Sequence, residues 1–223
     1  MTNKSPTINI KMPRKMPSIR TLMRRLLLQY DQESSQEVRE KVYVSLRASI
    51  APRNQLESNA LRCTDINEHL ATLYMLTREL NLKSVLELGV RQGESTLALL
   101  EAAKAIGGTV TSVDTEDCVI AKKRVTEAGL DRYWEFLRGD DMSIPWNGDI
   151  GHLFIDTSHA YEHTIAELRR FEPYVQSGGI VTLHDAVSCS GVRQATSEFL
   201  RGRPDLTSYT FFNNYGLEVI FKK

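Results

Sequence analysis

The chain has 223 residues, of which 41% are hydrophobic and 25% charged, which is ordinary usage for a globular protein with a substantial core. This composition excludes a chain that is disordered throughout. The formal net charge is zero, but the charges are divided unevenly. Residues 1–30 carry seven basic side chains and no acidic one, so the remaining 193 residues carry 21 basic and 28 acidic side chains. A basic arm is therefore joined to a body with a net charge of −7.

No apolar run approaches the ~20 residues that cross a bilayer, so no membrane span is predicted. The three cysteines, Cys63, Cys118 and Cys189, are odd in number and widely spaced. This usage favours reduced, buried thiols over a disulfide framework or a zinc site. The arm also lacks the apolar stretch of a secretory signal. We therefore expect a cytoplasmic protein.

The first 60 residues are predicted to form a basic arm followed by helices. Residues 1–17 contain three prolines and predict a loosely docked segment. Ser18 can cap a first helix, and a second helical stretch covers about 35–50. A third helix is predicted from Thr64 or Asp65 to about residue 81, because Asp65 lies in capping-box spacing before a glutamate.

Short β-rich runs alternate with helical runs from residue 84 onward. Strands that are covered by helices on both faces are apolar throughout, and this alternation predicts right-handed crossovers and a parallel sheet. The last two runs are separated by only residues 213–216, a connection that joins antiparallel neighbours. The predicted fold class is α/β, a doubly wound, Rossmann-like, seven-stranded sheet that is mostly parallel, with a C-terminal antiparallel hairpin and N-terminal helices before it. The predicted strands cover 84–88, 109–113, 134–137, 152–155, 180–183, 208–212 and 217–221, and the predicted helices 95–104, 116–128, 161–171 and 192–201.

Polar residues and glycines follow the first two predicted strands, where such a sheet binds ligands. Gly89 and Gly93 bracket a tight turn into a helix, whose first N–H groups are free to bind an anion. Asp114 ends the second strand 25 residues after Gly89, which suits an acid that accepts ribose hydroxyls. The sequence favours nucleoside binding over the alternative of a structural turn with a solvated acid.

The glycine spacing indicates which nucleoside binds. The turn has the form G-x-x-x-G, without the second close-approach glycine of the G-x-G-x-x-G turn that admits a pyrophosphate. Glu87 would also place a negative charge near that phosphate. A ligand with an amino group and a carboxylate but no phosphate suits Glu87 and Ser95 better, which favours S-adenosylmethionine.

These residues carry a resemblance to class I S-adenosylmethionine-dependent methyltransferases. Residues 85–100 (VLELGVRQGESTLALL) resemble the first motif of that family. Val113-Asp114 resembles its ribose-binding second motif, and residues 139–141 (GDD) its adenine-contacting segment. Residues 154–162 (FIDTSHAYE) and 177–185 (SGGIVTLHD) are similar to a small-molecule O-methyltransferase branch with catechol-type, macrolide-sugar and cephalosporin-hydroxylase-like members.

The resemblance implies a binding role for each matching residue. Ser95 and the Gly89 backbone would hold the methionine carboxylate of S-adenosylmethionine, and Asp156 its amino group. Asp114 would hold the ribose, and one of the two aspartates after Gly139 the adenine edge. The candidate cofactor-binding residues are Glu87, Gly89, Gly93, Ser95, Asp114, Asp140, Asp141 and Asp156.

The resemblance leaves a metal site and the general base open. In catechol-type members, the acid ending the fourth strand and an Asp-Asn pair ending the fifth bind magnesium. Here Ala186 stands in place of that asparagine, while Asp156, Asp185 and His184 can still form a site for a divalent cation such as magnesium. Without metal, His159 and His184 are the candidate bases, because histidine titrates near neutral pH. The candidate catalytic residues are His159, His184 and Asp156.

The predicted function is transfer of a methyl group from S-adenosylmethionine to an oxygen of a small-molecule acceptor. The enzymatic alternatives are a cephalosporin-hydroxylase-like enzyme and an N-methyltransferase. A nucleic-acid-binding module that uses the arm is the alternative from another class, disfavoured by the acidic body and by the few aromatic residues of the arm. The predicted domains are residues 61–223, the methyltransferase domain, and residues 1–60, a lid or an element of a homodimer.

Overall fold

The computed structural model describes residues 55–223, and these residues belong to one compact unit. The predictions for the arm, for the helix that Ser18 caps and for the helix near 35–50 lie outside the described residues. Residues 55–223 contain seven strands: β1 Ser84–Leu88, β2 Thr109–Asp114, β3 Trp134–Arg138, β4 Ile150–Ile155, β5 Val175–His184, β6 Leu206–Phe211 and β7 Leu217–Lys222. The α-helices of this part are α1 Gln55–Ala60, α2 Leu70–Glu79, α3 Glu94–Ile106, α4 Val119–Glu127, α5 Tyr161–Phe171 and α6 Ser190–Leu200. Short 3₁₀ turns cover Asp131–Tyr133 and Glu172–Tyr174.

The strands form one sheet in the order β3-β2-β1-β4-β5-β7-β6. The first five are parallel, and β7 runs antiparallel between β5 and β6. This confirms the predicted doubly wound sheet and its C-terminal hairpin. The strand order reverses between β1 and β4, and a crevice opens at such a switch point beyond the carboxyl ends of the strands.

The core lies on both faces of the sheet, which explains the continuous apolar runs of the central strands. Val85 of β1 packs in the cluster that holds Leu97 of α3, whereas Leu86 packs in the cluster that holds Leu168 of α5. Successive side chains of a strand point to opposite faces, so a strand covered twice is apolar at each position. Each fully buried Leu contributes roughly 1.5–3 kcal/mol relative to exposure. Glu87 is the exception in β1, a fully buried acid within the apolar run.

The predicted start of the third helix is wrong. Residues 65–69 form turns and bends, and α2 begins at Leu70 without a side-chain cap. The Asp65 carboxylate instead accepts a hydrogen bond from Arg91 Nη1 at 2.6 Å, and the Glu68 amide donates to Asn214 Oδ1 at 3.3 Å. These contacts with two distant loops outweigh the local capping preference.

All three cysteines lie within the described residues, and none of them forms a disulfide. Cys118 is buried and Cys189 is partly buried, but Cys63 is exposed, which differs from the expected burial. Within residues 55–223, no helix has the length and apolar character needed to cross a membrane.

Candidate active site

The turn between β1 and α3 is held against β4 by a close backbone approach. Gly89 has φ +90°, and a Cβ atom at this residue would lie 2.1 Å from the carbonyl oxygen of Asp156. The Asp156 amide in turn donates to the Leu88 carbonyl at 2.8 Å. Gly93 has φ +82° and precedes α3, where a Cβ would lie 2.8 Å from the Ala121 Cβ. Packing alone therefore requires a glycine at both positions.

Asp114, at the end of β2, is held by the same turn. Its Oδ2 accepts hydrogen bonds from the amides of Val90 at 2.8 Å and Arg91 at 3.1 Å, and its Oδ1 accepts one from the Glu116 amide at 2.9 Å. Burial would raise the pKa of this carboxyl, but the three backbone donors outweigh burial and lower it. Asp114 is thus an ionised, partly exposed acceptor at the rim of the crevice.

Glu87 lies behind the turn and not in the crevice. Its carboxylate accepts hydrogen bonds from the hydroxyls of Ser95 at 2.7 Å, Thr96 at 2.8 Å and Ser112 at 2.6 Å. Burial raises the pKa of Glu87 to about 7 in spite of these donors. The expectation that Glu87 faces the amino group of a ligand is corrected accordingly, because its carboxylate is enclosed and engaged by three hydroxyls.

An open cleft lies in front of this turn. Ser95 borders it at the N-terminus of α3, where the first N–H groups of a helix have no intrahelical partner. Arg91 reaches across the entrance to Asp65, and Glu94 pairs with Arg124 at 2.7 Å. The lining residues are Asp65, Ile66, Gly89, Val90, Arg91, Glu94, Ser95 and Asp156.

Two carboxylates and two histidines meet where β4 and β5 end. His159 Nε2 lies 3.1 Å from Asp185 Oδ2 and 3.5 Å from Asp156 Oδ1. His184 Nδ1 lies at the same two distances from the same two oxygen atoms. The His184 side chain is only 1% exposed, whereas that of His159 is 42% exposed. The structure therefore brings all predicted catalytic and metal-binding residues into one cluster.

Backbone carbonyls orient the buried histidine of this cluster. His184 Nε2 lies 3.1 Å from the carbonyl oxygen of Asp65 and 3.3 Å from that of Asn214. This nitrogen must donate, so Nδ1 faces Asp156 and Asp185. Nδ1 makes no well-directed hydrogen bond with any described residue, and its 3.1 Å approach to Asp185 is an electrostatic contact.

The carboxylates determine the charge of both histidines. Hydrogen bonds to Asp156 and Asp185 raise the pKa of His159 to about 10. Burial would lower the pKa of His184, but the same two carboxylates outweigh it and raise that pKa to about 10 as well. The pKa values of both aspartates are lowered, because the histidines outweigh the effect of burial. Without a ligand, the cluster therefore holds two imidazolium ions against two carboxylates.

The two aspartates after Gly139 have different surroundings. Asp140 is exposed and accepts hydrogen bonds from the Met142 amide at 2.9 Å and from the Ser143 hydroxyl at 3.2 Å, so it caps its own turn. Asp141 is buried, and its Oδ2 lies 3.3 Å from His163 Nε2. Its Oδ1 has no hydrogen-bond partner within residues 55–223. Of these two aspartates, Asp141 is therefore the one with an unused buried acceptor atom.

Two other histidines occupy structural positions. His152 lies between the hydroxyls of Thr77 and Thr182, at 2.7 Å from each, and burial lowers its pKa to about 3. His69 Nε2 lies 2.9 Å from the carbonyl oxygen of Asn213, and burial is the main cause that lowers its pKa to about 4. Both imidazoles are neutral at pH 7.

The sequence reasoning missed the residues that support this site from other loops. No local signal marks the Asp65 and Asn214 carbonyls that hold His184, since each is more than 25 residues away in sequence. It also missed Glu167, a buried acid next to His163. The i, i+4 spacing of these two residues on α5 was a signal that could have found the pair.

Comparisons with known proteins agree with this fold. Residues 86–186 match a family model described as a methyltransferase domain. A search of the curated proteins found no match. The S-adenosylhomocysteine-bound methyltransferase PaMTH1 of Podospora anserina is 13% identical with a TM-score of 0.62, and the match covers 95% of this chain and 100% of that one.

Two O-methyltransferase structures are also similar. TomG of Streptomyces achromogenes, which is involved in tomaymycin synthesis and was solved with S-adenosylmethionine, is 20% identical with a TM-score of 0.64 over 86% of this chain and 100% of that one. The Bacillus cereus O-methyltransferase, in complex with S-adenosylhomocysteine, is 14% identical with a TM-score of 0.58 over 91% and 97%. At these identities the structural likeness shows the fold alone. Residues 86–186 are therefore similar to a methyltransferase domain, and the described residues have the fold of these S-adenosylmethionine- and S-adenosylhomocysteine-bound methyltransferase structures.

Proposed function

We propose that the protein transfers the methyl group of S-adenosylmethionine to an oxygen atom of a small molecule. The observation that carries the proposal is the position of the carboxylate–histidine cluster, which borders the cleft at the switch point through Asp156. A methyl donor in the cleft would then lie next to a group that can handle the proton of an acceptor. Two of the similar structures are O-methyltransferases, which supports oxygen as the accepting atom.

The described residues offer a partner for each polar part of the cofactor. The ionised Asp114 would accept the ribose hydroxyls, and the first turn of α3 at Ser95 would bind the methionine carboxylate. Asp156, 13% exposed, would take the ammonium group. The unpartnered Oδ1 of Asp141 would accept the adenine amino group. Glu87 would support the site from behind by fixing the Ser95 hydroxyl.

His159 is the histidine that an acceptor can reach. In the reaction, a bond forms between the acceptor oxygen and the methyl carbon, the bond from carbon to sulfur breaks, and the acceptor hydroxyl loses a proton. His184 is enclosed, so His159 is the proposed base. An ammonium group bound to Asp156 would compete with His159 for that carboxylate and lower the pKa of His159 from about 10. Cofactor binding would thus prepare the base.

The cluster also fits a divalent cation. His184 Nδ1 is a buried nitrogen that makes no hydrogen bond, and it faces Asp156 and Asp185. The other ring nitrogen, Nε2, is held by backbone carbonyls, as is common in metal-binding histidines. These three residues would hold the cation, and Ala186 adds no ligand. A bound cation would lower the pKa of an acceptor hydroxyl and orient its oxygen.

Calorimetry and methyl transfer test this function. The full chain should bind S-adenosylmethionine and not NAD, and should transfer a labelled methyl group to members of a panel of hydroxylated small molecules. His159→Gln should lower kcat much more than it changes the affinity for the cofactor, whereas the exposed control Glu127→Gln should alter neither. Assays with EDTA and with added magnesium measure the contribution of a cation.

Other results would favour the alternatives. Binding of NAD without S-adenosylmethionine would overturn the proposal, and transfer to amines alone would favour the N-methyltransferase. Strongly salt-dependent binding of nucleic acid would favour the binding module. The role of residues 1–60 as a lid or dimer element and the cytoplasmic location stay predictions.

A further inference from the structure

A second group of potential metal ligands is formed by two residues of α5 and one residue of the loop after β3, apart from the cluster described above. It consists of Asp141, His163 and Glu167, and we call it the α5 cluster. His163 Nε2 lies 3.3 Å from Asp141 Oδ2 and 3.5 Å from Glu167 Oε1. One donor atom from each residue lies within 4.8 Å of the other two. None of the three residues belongs to the cluster of Asp156 and Asp185.

The α5 cluster contains two buried carboxyl groups that share a single basic contact. The Glu167 side chain is 0% exposed, and that of Asp141 is 9% exposed. Within residues 55–223, no lysine or arginine forms an ion pair with either acid, and His163 is their shared basic contact. Buried carboxyl groups are destabilising unless they are hydrogen-bonded, paired or bound to a metal.

An unused acceptor atom of Glu167 provides an independent sign of a missing partner. Glu167 Oε2 is buried and has no hydrogen-bond partner within the described residues. Such atoms are rare in folded proteins, and a bound ion or water is a common explanation for them. Glu167 Oε1 is oriented by the Thr157 hydroxyl, which donates to it at 2.7 Å, as the outer contacts of metal ligands do.

We propose that Asp141, His163 and Glu167 bind a divalent transition-metal cation, with zinc as the best match. One imidazole nitrogen and two carboxylates are ordinary zinc ligands, and bonds of about 2.1 Å in a tetrahedron place ligand atoms about 3.4 Å apart. The distances of 3.3 and 3.5 Å fit this spacing. A divalent cation with a neutral imidazole balances both carboxylates. Magnesium prefers an all-oxygen octahedral shell and fits less well.

The position of the cation suggests its effect. Asp141 lies in the loop after β3, Thr157 in the loop after β4, and the other two ligands on α5. A cation would tie these three segments together on one side of the switch point. His163 is 30% exposed, which provides a path of entry and room for a water as the fourth ligand. Binding to the folded state alone would also stabilise the fold.

The test measures metal binding by the metal-stripped full chain. Zinc content after equilibrium dialysis gives stoichiometry and affinity, and the visible absorption of bound cobalt reports tetrahedral coordination. The background is Asp185→Asn with Cys189→Ser, which removes donors of the other cluster. We expect one zinc ion per chain in this background, and affinity at least ~10-fold weaker with Thr157→Val.

Three variants decide between a metal site and an ion-paired triad. His163→Gln and Glu167→Gln should abolish zinc binding and the cobalt absorption, whereas Glu162→Gln, an exposed acid on the same helix, should change neither. If Glu167→Gln fails to fold by circular dichroism, the partly exposed His163 decides. Zinc affinity that is unchanged by His163→Gln, or no zinc bound in the background, would overturn the proposal.

Discussion

The buried Glu87 makes stability depend on pH in a direction opposite to that of an ordinary paired carboxylate. Its pKa rises from 4.5 to about 7 in the folded protein, mainly because of burial. The folded state therefore keeps a proton that the unfolded chain releases above pH 4.5. The stability from this group is fully present below that pH and is lost as the pH rises through about 7.

The variant Glu87→Gln removes this titration and preserves the shape of the side chain. With pKa values of 4.5 and about 7, linkage gives a loss of about 2.5 kcal/mol between about pH 5 and pH 8 in the wild type. The free energy of unfolding of the wild type minus that of the variant should fall by this amount across the range. Urea unfolding at several pH values measures the difference, in which the other titrating groups cancel.

The control is Glu127→Gln, at a position with 62% side-chain exposure. Its difference from the wild type should stay nearly constant with pH, because an exposed carboxyl gains little from burial or pairing. A constant difference for Glu87→Gln, or a difference that grows toward alkaline pH, would refute the reasoning. A constant difference would mean that the three hydroxyl donors balance burial, and a growing one that they outweigh it; in both cases Glu87 would be ionised in the folded protein at pH 7.

The remaining predictions concern the glycine turn, the ribose acceptor and a buried histidine. Gly89→Ala should lower the free energy of unfolding in urea by at least ~2 kcal/mol, because the positive φ is strained for alanine and the new Cβ would meet the Asp156 carbonyl. Gly107→Ala is the control: its φ is also positive, but the space around the new Cβ is open, so the loss should be ~1 kcal/mol. Equal losses would contradict the close approach at Gly89. Asp114→Asn should weaken S-adenosylmethionine binding in calorimetry by ~10–100-fold, because a hydrogen bond to a charged group is lost. Unchanged affinity would exclude Asp114 as the acceptor of the ribose hydroxyls. The ring protons of His152, with a pKa of about 3, should not titrate by NMR between about pH 5 and pH 8; a midpoint in that range would show that its site is hydrated.

The strands and the turn after β1 could be predicted because their signals are local. Residues 85–88 are apolar on both faces except at Glu87, which is the pattern of a strand covered by helices. The short 213–216 connection fixed the antiparallel hairpin. Gly89 and Asp114 were predicted to meet, since the carboxyl ends of neighbouring parallel strands lie at the same edge of a sheet.

The start of α2 and the orientation of His184 could not be predicted from local pattern. Asp65 has the spacing of a helix cap, but its carboxylate is paired with Arg91 and its carbonyl faces His184. These partners lie on other loops, so no pattern of neighbouring residues indicates them. A motif match assigns roles to residues, but it does not show which atoms already have partners.

The sequence by itself determined the α/β fold, the crevice at the ends of β1 and β2, and the candidate residues of the methyltransferase domain. Only the tertiary structure decided that Glu87 is enclosed by three hydroxyls, that His159 and not His184 is accessible, and that Glu167 joins Asp141 and His163. The physical reason is that strand periodicity and turn chemistry act between near neighbours. Burial, pKa and the pairing of polar atoms depend on side chains that the fold brings together from distant parts of the chain.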